Sequence, residues 1–117
     1  MGMIKIKFSE EAKQMYDFLE KQAQKSKKER MILSSLKAKL DSIKKDPHYG
    51  NPIKKKLIPS YYRIKYSVTN LFRIELPQFW RMLYTLTNSE TEIEIIAFVL
   101  DVLDHEDYDK KFGYVKK

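Results

Sequence analysis

Cysteine is absent from the chain, so neither a disulfide framework nor a thiolate zinc site can form. Only two histidines are present, His48 and His105, and no carboxylate cluster stands at metal-ligand spacing near either of them. Long apolar runs are also missing. The longest, residues 93–103, is interrupted by Glu94 and Asp101 and is much shorter than the ~20 residues of a membrane span. These absences predict a protein without a metal, without another cofactor and without a membrane segment.

Glycine is scarce, with three residues in the whole chain. A glycine-rich phosphate cradle is therefore not expected, and the sequence has no P-loop, dinucleotide-binding motif, nucleophile elbow or zinc motif. Residues 1–7 alternate apolar and charged side chains and do not form the continuous apolar stretch of a signal peptide. With 117 residues, the chain is expected to form one cytoplasmic domain over residues 1–117.

Positive charge is abundant and unevenly placed. The net charge is +7, and the segment from Ser26 to Arg73 carries thirteen lysines and arginines against three carboxylates, a local net charge of +10. A concentrated basic segment suggests a polyanionic partner such as nucleic acid. The alternative is an ordinary solvated basic surface, which composition alone does not exclude.

Hydrophobic periodicity predicts an α+β fold. Alternating residues mark half-buried strands, and apolar residues at helical spacing mark two amphipathic helices. Ser9 should cap the first helix, and Ser26 with Glu29 should form a capping box for the second. The predicted order is a strand over 3–8, helices over 10–25 and 26–45, strands over 71–76, 80–87 and 92–103, and a short helix over 104–111.

This β-α-α-β-β-β order predicts an antiparallel helical hairpin packed on one face of a twisted antiparallel sheet, followed by a short C-terminal helix. Residues 88–90 read as a hairpin turn between the last two strands. Residues 61–68 do not favour one type of element over another.

The chemistry that suits a cation-rich site without a metal is RNA cleavage. RNA carries its own nucleophile, the 2′-hydroxyl beside each phosphate. A protein then has to remove the proton of that hydroxyl, stabilise charge on the phosphate and protonate the leaving 5′-oxygen. Arginine binds phosphate bidentately, and lysine or histidine can serve as base or acid when its pKa is suitable.

Three stretches resemble the RelE/ParE superfamily of toxins. Residues 71–76 and 80–84, with an arginine after an aromatic residue at the start of a strand, resemble the middle strands of that family. Residues 51–57 resemble the basic loop after its second helix. Residues 104–113 resemble its closing segment and are most similar to archaeal RelE-like members.

The resemblance implies a RelE-like fold and the toxin of a type II toxin-antitoxin system. Such a toxin is a metal-independent endoribonuclease that cuts mRNA in the ribosomal A site, and a cognate acidic antitoxin silences it. The protein would be a monomer or a hetero-oligomer with that antitoxin. The catalytic residues that the resemblance implies are Arg81, His105, Lys54, Lys56 and Tyr108, with Phe112 as the alternative to the tyrosine.

Further cations are expected to contact RNA: Lys55, Arg63, Lys65 and Arg73. The tyrosines around Arg63 and Lys65 could stack on bases or pack in the core.

Two features depart from the family pattern. The closing segment is acidic, and residues 58–70 form a longer loop than expected.

Each of these site residues also has a plain structural explanation. Arg81 could form an ion pair with Glu75 or Glu92, and the lysine run could be a solvated loop. Phe79 and Trp80 are expected to pack in the core or at an edge instead of serving as base platforms. The alternative function is a non-catalytic RelE/ParE-like protein that binds RNA, the ribosome or gyrase. Cations within reach of one phosphate favour the nuclease, and scattered cations favour the binder.

Overall fold

The computed structural model describes residues 3–88 and 94–113 of the chain. None of the helices in these ranges is both long and apolar enough to cross a membrane. The elements are β1 (Met3–Phe8), α1 (Glu10–Ala23), α2 (Lys27–Lys45), β2 (Asn51–Pro52), α3 (Ser60–Tyr66), β3 (Phe72–Glu75), β4 (Arg81–Asn88), β5 (Glu94–Leu103) and α4 (His105–Phe112). Short 3-10 turns occupy Lys55–Leu57 and Pro77–Phe79. Residues 89 and 90 of the predicted hairpin turn lie outside the described ranges.

The five strands form one sheet in the order β1-β5-β4-β3-β2. The α+β prediction is confirmed, but the prediction of a wholly antiparallel sheet is wrong because β1 runs parallel to β5. The other neighbouring pairs are antiparallel. The alternating pattern of β1 specifies which of its side chains are buried, yet it carries no information about strand direction. The parallel direction is defined by the pairing of β1 with β5, a strand far away in the sequence.

The helical hairpin α1–α2 covers one face of the sheet. Leu19, Ile32 and Leu36 are fully buried there against strand residues that include Val99. Ser9 caps α1 as predicted, because its hydroxyl accepts a hydrogen bond from the Ala12 amide at 3.0 Å. The same hydroxyl donates to the carbonyl of Leu100 at 2.6 Å, which ties the start of α1 to β5.

The start of α2 differs from the prediction in one respect. Ser26 occupies the N-cap position, but its side chain makes no capping hydrogen bond, so the predicted capping box does not form. Its backbone carbonyl accepts a hydrogen bond from Arg30 at 3.1 Å instead. The end of the helix follows the prediction, with Lys44 and Lys45 in the last turn.

The opposite face of the sheet is covered in part by α3 and α4. Tyr62 of α3 and Tyr108 of α4 are buried there with Leu83 and Leu100 of the sheet. Asp101 of β5 is buried beneath them. The Tyr62 hydroxyl donates to the Asp101 carboxylate at 2.7 Å, and the Lys111 ammonium group donates to it at 3.0 Å. This carboxylate therefore anchors both helices to the same strand.

Candidate functional site

Two arginines on neighbouring strands share one carboxylate. Arg73 lies on β3 and Arg81 begins β4, where it pairs with Glu75 in the antiparallel register. Residues two apart on a strand share a face, so Arg73, Glu75 and Arg81 all project to the side of α4. The Glu75 carboxylate lies 3.2 Å from Nε of Arg73 and 3.4 Å from Nε of Arg81. These three residues are called the arginine cluster below.

Tyr108 contacts both arginines of the arginine cluster. Its side chain is buried, and its hydroxyl accepts a hydrogen bond from Nη1 of Arg73 at 3.1 Å. Its ring lies 5.0 Å from the guanidinium carbon of Arg81, a cation–π contact. The ring also stacks on Phe112 with 4.3 Å between centroids. Helix α4 thus supplies one aromatic side chain that positions both guanidinium groups.

The arginine cluster combines partial burial with positive charge. The Arg81 side chain is 19% exposed, the Arg73 side chain 34% and the Glu75 side chain 52%. Glu75 offsets the repulsion that two adjacent guanidinium groups would otherwise feel. The remaining charge is +1, and it lies where water screens it less than at an open surface. Two guanidinium groups in this arrangement can stabilise a phosphate that gains negative charge during a reaction.

His105 and Phe79 flank the arginine cluster. His105 is exposed in the first turn of α4. Its ring lies 6.2 Å from the ring of Phe79, at an angle of 64°. Nη1 of Arg81 donates a hydrogen bond to the carbonyl oxygen of Phe79. The structure therefore brings Arg81, Arg73, His105 and Tyr108 into one region of the sheet face.

A second group of cations lies around its own cavity. Lys55, Lys56 and Arg63 line an open cavity of about 450 Å³, together with Ile58, Val68 and Thr69. Arg63 donates a hydrogen bond to the carbonyl oxygen of Lys55, which joins α3 to the preceding turn. Lys54 is exposed at the start of that turn. We call Lys54, Lys55, Lys56 and Arg63 the lysine cluster.

Lys65 is engaged elsewhere. Its ammonium group lies 2.7 Å from Glu11 in the first turn of α1, and the hydroxyls of Tyr61 and Tyr66 donate to the same carboxylate at 3.1 and 2.8 Å. Hydrogen bonds from Lys65, and then from Tyr66 and Tyr61, lower the pKa of Glu11 from 4.5 to about 2. The charge of Lys65 therefore helps to fasten α3 to α1.

Glu75 and Phe79 lie at the arginine cluster but are not among the site residues that the sequence predicts. Glu75 was considered as an ion-pair partner for Arg81, and it contacts Arg73 as well. Phe79 was expected to pack, which is wrong because it is 71% exposed, whereas its neighbour Trp80 is buried as expected. The available signal was a short gap between two alternating strands with apolar residues on both sides. Such a gap predicts a tight hairpin whose tip side chains point outward.

No family model matches the chain, and no curated protein matches it. Among solved structures, the chain is similar to a double mutant of the E. coli toxin RelE in the free state, in which two arginines are replaced by alanine. The similarity covers 99% of this chain and 100% of the other, with a TM-score of 0.53 and 18% sequence identity. The four helices on a five-stranded mixed sheet described above match that structure over its whole length. The chain therefore has the RelE fold.

Proposed function

We propose that the chain is the toxin component of a type II toxin-antitoxin system, a metal-independent endoribonuclease that cuts mRNA in the ribosomal A site. The observation that carries this proposal is the arginine cluster above Tyr108, because it presents two fixed guanidinium groups to one phosphate. The RelE fold and the closing segment over residues 104–113, which resembles archaeal members, support the same proposal.

The proposed reaction uses the nucleophile that RNA provides. The 2′-oxygen loses its proton and bonds to the adjacent phosphorus, the bond from phosphorus to the 5′-oxygen breaks, and that oxygen takes up a proton. The products are a 2′,3′-cyclic phosphate and a free 5′-hydroxyl. Arg81 and Arg73 stabilise the negative charge on the phosphate oxygens during this step.

His105 is the proposed acid or base. It is exposed beside Phe79, whose carbonyl oxygen accepts a hydrogen bond from Arg81, and an imidazole group can both accept and donate a proton. The other histidine, His48, packs against Phe72, a residue of the core on the hairpin side of the sheet. Tyr108 is buried and engaged with both arginines, so its proposed role is to position them and not to transfer a proton itself.

The proposed partners follow from exposed charge. The lysine cluster is suited to phosphates of mRNA or ribosomal RNA on either side of the cut. A cognate acidic antitoxin would fit the basic surface of α2, where seven of the nineteen residues are lysine or arginine. An acidic amphipathic helix is the expected form of such a segment.

A second candidate function is a non-catalytic protein that binds RNA, the ribosome or gyrase. It is favoured by the lysine cluster, because Lys55, Lys56 and Arg63 line an open cavity whose lining includes neither Arg73 nor Arg81. Cations spread in this way can follow an extended polyanion without converging on one phosphate.

One experiment separates the two functions. The purified chain is added to ribosomes programmed with a defined mRNA, and the 5′ and 3′ ends of any fragments are mapped. The nuclease is expected to cut at one A-site position and to leave a 2′,3′-cyclic phosphate there. An mRNA with a 2′-deoxynucleotide at the cut position should remain intact. Binding to the ribosome without fragmentation of the unmodified mRNA would favour the second function.

A further inference from the structure

The turn between β3 and β4 holds its backbone in an unusual conformation. Leu76 and Trp80 are both buried, and the Leu76 amide donates to the Trp80 carbonyl at 2.9 Å. Only three residues connect them, and two of these, Gln78 (φ 62°) and Phe79 (φ 61°), are left-handed. Such a backbone suits glycine or asparagine and is costly for a bulky side chain such as phenylalanine. Strained residues of this kind persist only where the surroundings fix them, and they are frequent at functional sites.

The same turn sends the ring of Phe79 into solvent beside the arginine cluster. The ring is 71% exposed, although Trp80 next to it is buried in the core. Burial of both Leu76 and Trp80 fixes the direction of the loop, so the ring cannot turn inward without pulling one of them out. Arg81 donates to the backbone carbonyl of Phe79, and the His105 ring lies 6.2 Å from its ring. The exposed ring therefore lies next to Arg81, one of the two arginines of the cluster.

We propose that Phe79 is a stacking platform for an unpaired RNA base next to the phosphate that the arginine cluster binds. The proposal rests on the proposed function, which brings single-stranded RNA to this face. Aromatic side chains bind unstacked bases of single-stranded RNA through their π faces, and every base offers such a face. Charge complementarity fixes the orientation, because the phosphate lies at Arg81 and the attached nucleoside reaches the neighbouring ring. His105, which contacts the ring of Phe79 edge to face, would lie beside the stacked base.

The test uses an mRNA that cannot be cut, with a 2′-deoxynucleotide at the cut position and 2-aminopurine placed at each A-site position in turn. Ribosomes are programmed with this mRNA, and the affinity of the parent chain for them is compared with that of three variants at position 79. Phe79→Tyr keeps the ring, Phe79→Ala removes it, and Phe79→Asn removes it while suiting the left-handed backbone. Phe18→Ala is the matched control, because Phe18 is 46% exposed on α1 at the opposite face.

We expect the alanine and asparagine variants to bind about five- to 150-fold more weakly, the range for loss of one base–aromatic stack. Quenching of 2-aminopurine at one position should disappear in both, and should persist with tyrosine and with the Phe18→Ala control. A normal circular dichroism spectrum for Phe79→Asn shows that the loss is not unfolding.

The outcomes separate this inference from the proposed function. If Phe79→Ala and Phe79→Asn bind and quench as the parent does, the stacking platform is overturned while the proposed nuclease stands. If loss of the Phe79 ring weakens binding of a protein encoded nearby and leaves the binding to mRNA-programmed ribosomes unchanged, the stacking platform is overturned as well. If the parent chain binds neither mRNA nor ribosomes, both proposals fail together.

Discussion

Replacing Arg81 with alanine should remove most of the cleavage activity and leave the fold intact. The side chain is 19% exposed and faces the proposed phosphate site, so its charge is poorly screened. Loss of one preorganised charge stabiliser costs about a hundredfold or more in rate. Arg73 remains in place and supplies the second guanidinium group, so activity should fall without disappearing.

The structural cost of this change is small by comparison. Glu75 stays paired with Arg73, so no carboxylate is left without a partner. An ion pair with a half-exposed carboxylate contributes about 0–1 kcal/mol, and the contact of Arg81 with the Tyr108 ring about 0.5–2 kcal/mol. We expect a loss of about 1–2 kcal/mol in the free energy of unfolding, which corresponds to a fall in Tm of roughly 4–10 °C.

The assay compares single-turnover cleavage of ribosome-bound mRNA with the thermal unfolding of the same preparations. Lys21→Ala is the matched control, since it removes one positive charge from the last turn of α1 on the opposite face. The control should cut at the parent rate. Full activity of Arg81→Ala, or its failure to fold, would refute the assignment of Arg81 to the phosphate.

Three further outcomes are expected. Tyr108→Phe should lower the cleavage rate about tenfold, because Arg73 loses one hydrogen bond that contributes about 1.4 kcal/mol. The affinity for mRNA, measured by single-turnover titration, should not change. Asp101→Ala should lower the free energy of unfolding in urea by about 2–4 kcal/mol, because the Tyr62 hydroxyl and the Lys111 ammonium group lose their shared acceptor. A change within experimental error would contradict the anchoring role of Asp101. The pKa of Glu11 is lowered to about 2 in the folded chain, so its stabilising contribution is present above pH 4.5 and is lost as pH falls towards 2. After allowance for its partial exposure, Glu11→Gln should cost about 1 kcal/mol in urea unfolding at pH 7 and almost nothing at pH 2, and a pH-independent difference would exclude this linkage.

Local patterns in the sequence were sufficient for most of the secondary structure. The cap at Ser9 and the stop after Lys45 depend on groups within a few residues of each other, and both lie where the sequence predicts them. Tyr61 to Tyr66 were harder to assign because the residues have no clear period. The helix that forms there is held by contacts with Glu11 and Asp101, which are distant in the chain.

In the arginine cluster, too, the sequence predicts individual residues, whereas contacts between distant residues decide how they are arranged. The sequence singled out Arg81 and Arg73 separately, and it offered Glu75 as one of two ion-pair partners for Arg81. Only the antiparallel register of β3 and β4 places both arginines on one carboxylate. The packing of α4 then puts the Tyr108 ring under them.

The sequence by itself determined the absence of cysteine chemistry, the basic middle segment, the two amphipathic helices and the alternating strands, because these follow from composition and short-range periodicity. The tertiary structure decided the parallel direction of β1, the meeting of Arg73 and Arg81 at one carboxylate and the position of Tyr108 beside them. Those features depend on which strands pair, on the register of the pairing and on how α4 packs against the sheet. Each arises from contacts between residues far apart in the chain, which no local pattern of side chains encodes.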